Sequence, residues 1–598
     1  MSDRPTFTAP STGRDVPVPA AASDALWGSD VIAATLRALG VPFLALNPGA
    51  SYRGLHDSLV NHLGNAAPEM LLCLHEEVAV AIAHGYAKAG GGMMGVVLHS
   101  NVGLMHAAMA IFNAWCDRLP MLILGATGPW DAARRRPWID WIHTVADQGA
   151  LVRDYTKWDN QPGSVAAAVE ALLRAAQIAQ TAPRGPVYVN LDAALQEQKL
   201  DDRPALPDPS RFAAPVAPPP AAAEVECAAA LLAQARRPVI LMGRMSLSVE
   251  DWRRRVELAE RTQAAVITDL KTGATFPTAH PQHAAPPGNF MAPAACAALR
   301  EADVVLMLDW VDPGGAFRQA GGVPTGAKVI QATLDAHLHR GWAMDMGSLA
   351  PADVQLQCEP DAAVRALLPL LPQAAARHWA PRAPLPGAPA DGVVSIRAVA
   401  EALAARARAE EICIVRLPLG WNGAYRDFSH PLDYLGADGG GGVGAGPGNT
   451  VGAALALRGS GRTAVALIGD GDFLMANTAV WTAAHYGLGM LLIVCNNRSF
   501  FNDELHQERV AKERGRPPEN KWIGQRIDQP DIDIAQMART MGAVGIGPVD
   551  DARELGPAIA EGLAAARAGR ACVIDARVAP GYDANMSGAP PSAASQKR

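Results

Sequence analysis

The sequence predicts an α/β protein built from three parallel-sheet domains, and three observations support that class. Its 598 residues are too many for one core and correspond to about three or four domains of roughly 150–200 residues each. Short β-rich runs alternate with alanine-rich helical stretches along the chain, which is the pattern of βαβ units. Two proline-rich passages, 200–225 and 371–392, interrupt the alternation and read as stiff, extended connections.

Taken in order, residues 1–24 mix proline, serine and acidic residues without a continuous apolar core. They read as a flexible arm, neither a signal peptide nor a membrane anchor. The first block, 25–200, carries the runs MMGVVLH, MLILGA and PVYVNL. After a linker at 201–225, the central block, 226–370, carries RPVILMG, AAVITDL, DVVLMLD and KVIQATL. A second linker, 371–392, leads to the third block, 393–580, with EICIVRL, TAVALIGD, LLIVCNN and ACVIDARV. Residues 581–598 form a small, polar tail. Ligands of such folds collect at the carboxyl ends of strands, so candidate residues are judged by whether they fall there.

Composition narrows the function. The hydrophobic fraction of 49% is ample for folding, and the net charge is −7. No basic stripe marks a nucleic-acid or acidic-membrane surface, so the expected substrate is a small organic molecule. The eight cysteines are scattered singly, without the close pairing of a zinc site or disulfide framework. A reducing cytoplasm fits that distribution.

In the third block the run TAVALI leads into Gly469, Asp470, Gly471 and Asp472, then a helical stretch, then LLIVC ending at Asn496 and Asn497. Asp470 and Asn497 are 27 positions apart, one βαβ unit. A right-handed crossover can place both at the carboxyl edge of neighbouring strands. Gly-Asp-Gly and Asn-Asn are each common as turns. Paired between strands, they offer two hard oxygen ligands beside glycines that permit close backbone approach, which suits Mg²⁺ bridging a diphosphate. A second candidate is the stretch EMLLCLHEEVAVAIAHGYAKAGGG, 69–92, where a glutamate stands between an apolar strand and a largely apolar helix. Burying a carboxylate there costs several kcal/mol unless something partners it.

The segment GDGDFLMANTAVWTAAHYGLGMLLIVCNN resembles the signature of thiamine-diphosphate-dependent enzymes. The resemblance implies that Gly469, Asp470, Gly471, Asp472 and Asn497 bind the cofactor, and that Asp470, the Asn497 side chain and the Ser499 carbonyl hold Mg²⁺. LHEEVAVAIAHGYAKAGG is similar to the family segment whose glutamate, just after a histidine, hydrogen-bonds the cofactor's aminopyrimidine ring. That glutamate is Glu76, with Glu77 expected in solvent. A carboxyl group in those surroundings can share a proton with the ring nitrogen, which the cofactor needs to form its own internal base. DGGGGVGAGPGNTVGAALAL, 438–457, resembles the family's glycine-rich turn, and Val443 takes the place of the apolar residue that props the cofactor into its bent shape. Its ending, PGNTVG, departs from the usual small-Pro-Ala-Ala. TGATFPTAHPQH and APRGPVYVNL match the family's central turn and the end of its first domain, so the resemblance runs through pyrimidine-binding, central and diphosphate-binding domains in that order.

Three elements resemble the benzoylformate decarboxylase branch: NPGASYRGLH, VVLHSNVGLMHAAMAIFNAW and FPTAHP. By position His99 and His280 fall on that branch's two active-site histidines, while its loop serine corresponds to Ala50, with Ser51 adjacent. His99 also ends the run MMGVVLH, at the functional edge of a sheet. An imidazole there titrates near neutral pH and can deliver a proton after carbon dioxide departs. The implied reaction is decarboxylation of a 2-oxo acid through an enamine or acyl-anion intermediate. The alternative is a carboligase of the acetohydroxyacid synthase kind, or a C–C lyase acting on a 2-oxo or 2-hydroxy compound. A homodimer or homotetramer with active sites between chains is implied, and FAD is left undecided. The segment 500–528 reads as a solvated lid or helix, with Phe500 and Phe501 placed to wall a substrate pocket.

Overall fold

The computed structural model describes residues 12–19, 25–202, 204–335, 349–379, 385 and 392–581. The first domain opens with β1 (Leu26–Trp27) and continues through β2 (Phe43–Leu46), β3 (Glu69–Leu72), β4 (Met94–Leu98), β5 (Met121–Thr127), β6 (Asp159–Asn160) and β7 (Pro186–Asp192) to β8 (Lys199–Leu200). β1 and β8 pair antiparallel and tie the two ends of the domain together; the other six form a parallel sheet in the order β3-β2-β4-β5-β7-β6. The central strands are β9 (Pro238–Met242), β10 (Ala265–Ile267), β11 (Val304–Leu308), β12 (Lys328–Ala332) and β13 (Val354–Leu356), ordered β10-β9-β11-β12-β13. The third domain contributes β14 (Ile412–Arg416), β15 (Thr463–Gly469), β16 (Met490–Cys495), β17 (Val544–Val549) and β18 (Ala571–Ala576), ordered β14-β15-β16-β18-β17. Every pair in these three sheets is parallel. Helices therefore cover both faces, and the inner strands read as nearly continuous apolar runs.

The first and third domains share one hydrophobic core. Its seam is the helix Glu76–Lys88 laid along the helix Gly446–Ala456, and the two backbones all but touch. A Cβ on Gly85 would stand 2.0 Å from the Asn449 carbonyl oxygen, and one on Gly452 would stand 1.9 Å from that of Ile82. Only glycine fits such contacts. The end of β3 is pinned to the third domain as well: the Leu72 N–H donates to the Tyr486 hydroxyl at 2.8 Å, and the Thr482 hydroxyl donates to the Leu72 carbonyl at 3.0 Å. A partly buried ion cluster joins the first domain to the central one. Arg118 reaches Asp335 at 2.9 Å, and Arg244 reaches both Asp335 at 2.7 Å and Asp309 at 3.0 Å.

Part of the arm expected to be flexible is tied down. The Thr12 N–H donates to the Glu69 carboxylate at 2.9 Å, and Asp15 accepts from the Tyr486 hydroxyl at 2.9 Å and faces His485 at 3.2 Å. Residues 12–19 thus cross the seam between the two domains. The rest of the arm (1–11 and 20–24), most of the 371–392 linker beyond 379, and the tail from 582 onward lie outside the described residues. Among the described residues no helix is long and apolar enough to cross a membrane, and all eight cysteines are free thiols.

Candidate active site

Gly469 and Cys495 are register partners at the carboxyl ends of β15 and β16, so the residues that follow them emerge side by side. Asp470 Oδ2 and Asn497 Oδ1 both accept the Ser499 N–H, each at 3.0 Å, and Asp470 Oδ1 accepts the Gly471 N–H at 3.0 Å. Arg498, at φ 57°, turns the chain through the left-handed region and brings the Ser499 amide back toward the strand ends. The two asparagines have separate tasks. Asn496 is spent on structure, donating to Asp575 at 2.8 Å and accepting the Arg498 N–H at 3.0 Å.

Asp470 is buried, and burial pushes its carboxyl up to about 6 against the opposing pull of backbone N–H groups. A cation at this point would reverse the shift. The oxygens at hand are one carboxylate, one amide oxygen and the Ser499 carbonyl, a hard-donor set that fits Mg²⁺. No group of three or more His, Cys, Asp or Glu able to hold a metal occurs among the described residues. The three protein oxygens would leave the remaining positions of a six-coordinate Mg²⁺ to outside ligands such as a diphosphate.

Asp472 faces the other way. Its Oδ1 accepts the N–H groups of Gly444 at 2.7 Å and Gly446 at 3.2 Å, and its Oδ2 meets Arg416 Nε at 2.7 Å. Arg416 also pairs with Asp438. The two acids and the arginine clamp both ends of the glycine-rich turn, so Asp472 holds the turn's shape. Val443 stands near its crest, 38% exposed, beside Gly444 in the left-handed region at φ 105°. Gly469 and Gly471 flank Asp470, and the ring of Phe500 lies 2.6 Å from where a Gly471 Cβ would be.

Glu76 begins the helix Glu76–Lys88, and His75 caps it by accepting the Glu77 N–H on Nδ1 at 3.2 Å. Glu76 is only 7% exposed, and its Oε1 lies 3.1 Å from where a Gly103 Cβ would stand. Among the described residues no hydrogen bond reaches its carboxylate. Glu77 is not the solvated neighbour the sequence predicts. It is half-buried against the third domain, 3.8 Å from where a Gly444 Cβ would be. Burial raises its carboxyl, and the charge of Asp472 raises it further. The cause is the seam, because the start of this helix presses on the glycine-rich turn of its own chain.

His99 sits at the end of β4, half-buried, with Nδ1 2.8 Å from the Ser51 hydroxyl. The backbone of Gly49 runs so close that a Cβ there would lie 2.3 Å from the His99 Cβ. Ser51 is buried and Ala50 exposed, so the hydroxyl that this loop turns toward His99 is that of Ser51. Burial lowers the His99 imidazole, the neighbouring His143 adds to the lowering, and Glu76 opposes it. Sequence reasoning missed His143, whose ring meets that of His99 edge to face at 4.7 Å between centroids. It stands on a loop, where no strand or helix periodicity announces it.

His280 is not brought to this group. Its Nε2 faces Glu260 at 3.3 Å, its Nδ1 accepts the Gln282 N–H at 3.3 Å, and its ring packs edge-on to Phe276. Those contacts secure a turn of the central domain, with Glu260, Gln282 and Phe276 rather than His99 or Glu76 as the partners of His280. The segment 500–528 contains the helix Phe501–Glu513 and a short 3-10 turn, Pro518–Trp522. Its root is clasped at the 496–499 loop by Phe500 N–H to Gln525 O at 3.0 Å and Ile527 N–H to Arg498 O at 2.8 Å. The buried Glu504 accepts the Ser499 hydroxyl at 2.6 Å.

Three family models align with the chain in the order of its domains. These are the N-terminal TPP binding domain of the thiamine pyrophosphate enzymes over residues 26–151, their central domain over 225–367, and their C-terminal TPP binding domain over 419–576. The chain belongs to the thiamine pyrophosphate enzymes. Among curated relatives of this thiamine pyrophosphate enzyme, an acetolactate synthase large subunit from Lactococcus lactis is 25% identical over 504 residues, 81% of this chain and 83% of the relative. A benzoylformate decarboxylase from Pseudomonas aeruginosa is 27% identical over 445 residues, 72% of this chain and 79% of the relative. Among solved structures, benzoylformate decarboxylase from Polynucleobacter necessarius superposes with a TM-score of 0.76 at 21% identity, covering 93% of this chain and 99% of that one. That likeness is one of fold.

Proposed function

We propose that this enzyme decarboxylates a 2-oxo acid, with Glu76 and His99 as its acid–base groups. The observation behind the proposal is the condition of Glu76. Its side chain is only 7% exposed, stands beside Gly103 and His99 at the start of its helix, and takes no hydrogen bond from the described residues, which leaves its carboxylate free for a ligand. The chemistry that thiamine diphosphate would supply when bound is a nucleophilic carbon and a sink for the electron pair of the broken C–C bond. Asp470, Asn497 and Ser499 would hold Mg²⁺ against its diphosphate, the glycines at 469 and 471 would let the backbone approach, and Val443 would support its bend. Glu76 would hold a proton at its carboxyl, toward the pyrimidine. His99, fixed by Ser51 through Nδ1, keeps Nε2 as the nitrogen that can move a proton at the reacting carbon. Phe500, over Gly471, would exclude water from the metal side.

A second reading is a carboligase, supported by the 81% of the chain that matches an acetolactate synthase. In either case we place the enzyme in the cytoplasm, where its free thiols stay reduced, as a homodimer or homotetramer. The exposed apolar side chains Leu74, Met105, Val443 and Met475 around the start of the Glu76 helix support a surface covered by cofactor or a second copy. The deciding experiment is a screen of aliphatic and aromatic 2-oxo acids for carbon dioxide release with Mg²⁺ and thiamine diphosphate, with and without an added aldehyde. Release without acceptor, with the aldehyde one carbon shorter as product, is the expected result. A 2-hydroxy ketone or an acetohydroxy acid as product establishes the carboligase, whose acceptor can be a second 2-oxo acid, and no release from any acid overturns both readings.

A further inference from the structure

His143 lies outside every strand and regular helix, directly after the short helix Ile139–Ile142, yet its backbone is held like that of a core residue. Its carbonyl accepts the Ser100 hydroxyl at 2.6 Å and the Gly128 N–H at 3.3 Å, and the preceding carbonyl, of Ile142, accepts Asn101 Nδ2 at 3.3 Å. Ser100 is fully buried and adopts φ 49°, a conformation that non-glycine residues seldom take and that marks a site under constraint. Ser100 and Asn101 are the two residues that follow His99, so the start of the helix Ser100–Cys116 fastens the loop and sets its imidazole against His99. The ring planes meet at 79° with centroids 4.7 Å apart. On its Nδ1 side His99 is held by Ser51.

We propose that His143 is a positioning residue that acts on the reaction through His99, keeping that imidazole neutral and aimed until negative charge develops on the substrate. With the rings this close, positive charge on His143 opposes a proton on His99. The charged or titratable groups that face His99 are Glu76, from the helix Glu76–Lys88, and His143; Ser51 faces it as a neutral hydroxyl. Within the His143 loop, Asp140 is already taken up by Arg136 at 2.8 Å. The lowered imidazole of His99, to which His143 contributes, agrees with this arrangement. The inference rests on the role proposed above for His99.

The test is hydrogen–deuterium exchange at the imidazole C2 position, read by peptide mass spectrometry as a function of pH, on the full chain loaded with Mg²⁺ and thiamine diphosphate. Wild type is compared with His143→Phe, which keeps an edge-to-face ring without a titrating group, and with His143→Gln, which guards against a folding failure of the first. In both variants the His99 midpoint should rise, by on the order of half to one pH unit. The acid limb of the turnover profile for the 2-oxo acid found in the screen should move with it. A His99 midpoint unchanged in the Phe variant means that His143 only packs, and overturns the proposal. If the midpoint rises while turnover shows no limb that follows it, the coupling of the two rings stands and the role of His99 in the reaction falls.

Discussion

Asp470 and Asn497, 27 residues apart in sequence, accept the same hydrogen: the Ser499 N–H lies 3.0 Å from Asp470 Oδ2 and 3.0 Å from Asn497 Oδ1. One donor shared by two oxygens from neighbouring strand ends fixes their separation before any metal arrives. It also sets the Ser499 peptide, whose carbonyl is the third candidate ligand. The site is thus preorganised by backbone, and its one charged member is Asp470.

Replacing that charge should separate metal binding from folding. Asp470→Asn keeps the shape and the capacity to accept from Ser499 and Gly471, so the protein should fold. Without the buried charge, its thermal midpoint at neutral pH in the absence of Mg²⁺ should equal or exceed that of wild type. Mg²⁺-dependent binding of thiamine diphosphate should weaken by more than about 100-fold, beyond the usual effect of losing a supporting partner of a metal ligand. Calorimetric titration checks this, and retention of tight binding would remove Asp470 from the metal site.

The same carboxyl predicts a pH dependence. Burial raises Asp470 from its ordinary 3.8 to about 6, so in the metal-free protein the folded state prefers the protonated acid. The cost of ionising Asp470 appears as pH rises through the window from 3.8 to 6 and is relieved as pH falls back through it. A cation takes only the carboxylate. Its affinity should therefore be level above pH 6 and fall by about tenfold per pH unit below. Titrations at pH 7.5, 5.5 and 4.5 test the slope.

Glu77 offers a contrast. Burial and the Asp472 charge both raise its carboxyl, so ionised Glu77 opposes folding at neutral pH. Glu77→Gln should leave the thermal midpoint at pH 7.5 equal to or above that of wild type. The gap should close as pH falls toward the ordinary carboxyl range, where wild-type Glu77 is protonated too. A midpoint several degrees lower at pH 7.5 would show that the carboxylate has a stabilising partner.

Gly85 tests the seam. An added methyl would stand 2.0 Å from the Asn449 carbonyl oxygen, a backbone atom that cannot swing aside, so the two helices must separate. Gly85→Ala should cost about 1–3 kcal/mol or more and loosen the first domain from the third. Denaturant unfolding gives the energy, and limited proteolysis between the domains gives the loosening.

The fold was legible where strands are buried on both faces. LLIVC, VVLML and VILM are continuous apolar runs with no other stable place to go, and they became β16, β11 and β9. β6 has two residues, β13 has three, and β17 reads VGIGPV, with glycines and a proline that strand propensity disfavours. All three lie at sheet edges, where neighbours rather than composition decide. β2, FLAL, is apolar but only four residues long, and a short run does not declare its own class. At the site, Asp470, Asn497 and Glu76 were readable because strand ends and burial fix them locally. Asp472, Glu77 and His143 were not, because their surroundings come from distant segments: the turn at 444–446, the seam with the third domain, and the hold of Ser100 and Asn101 on the 142–143 backbone.

That difference sets the final expectation, for Glu76 beside Glu77. Glu76 points into the first domain toward Gly103 and His99, while Glu77, one residue on and about 100° around the helix, points at the third domain. If Glu76 holds the proton that activates the cofactor, Glu76→Gln should still bind thiamine diphosphate, because an amide fills the same space and can hydrogen-bond. It should exchange the cofactor's thiazolium proton far more slowly. General acid–base contributions run about 10²–10⁴-fold, which corresponds to roughly 3–5 kcal/mol in the barrier. Glu77→Gln should exchange at nearly the wild-type rate, since its carboxyl faces Gly444 and Asp472 rather than Gly103 and His99. Hydrogen–deuterium exchange at the thiazolium carbon of bound cofactor, followed by quenched-flow NMR for both variants and wild type, separates the two. Loss of exchange in Glu77→Gln with retention in Glu76→Gln would mean that the third-domain side of this helix, not the His99 side, faces the cofactor.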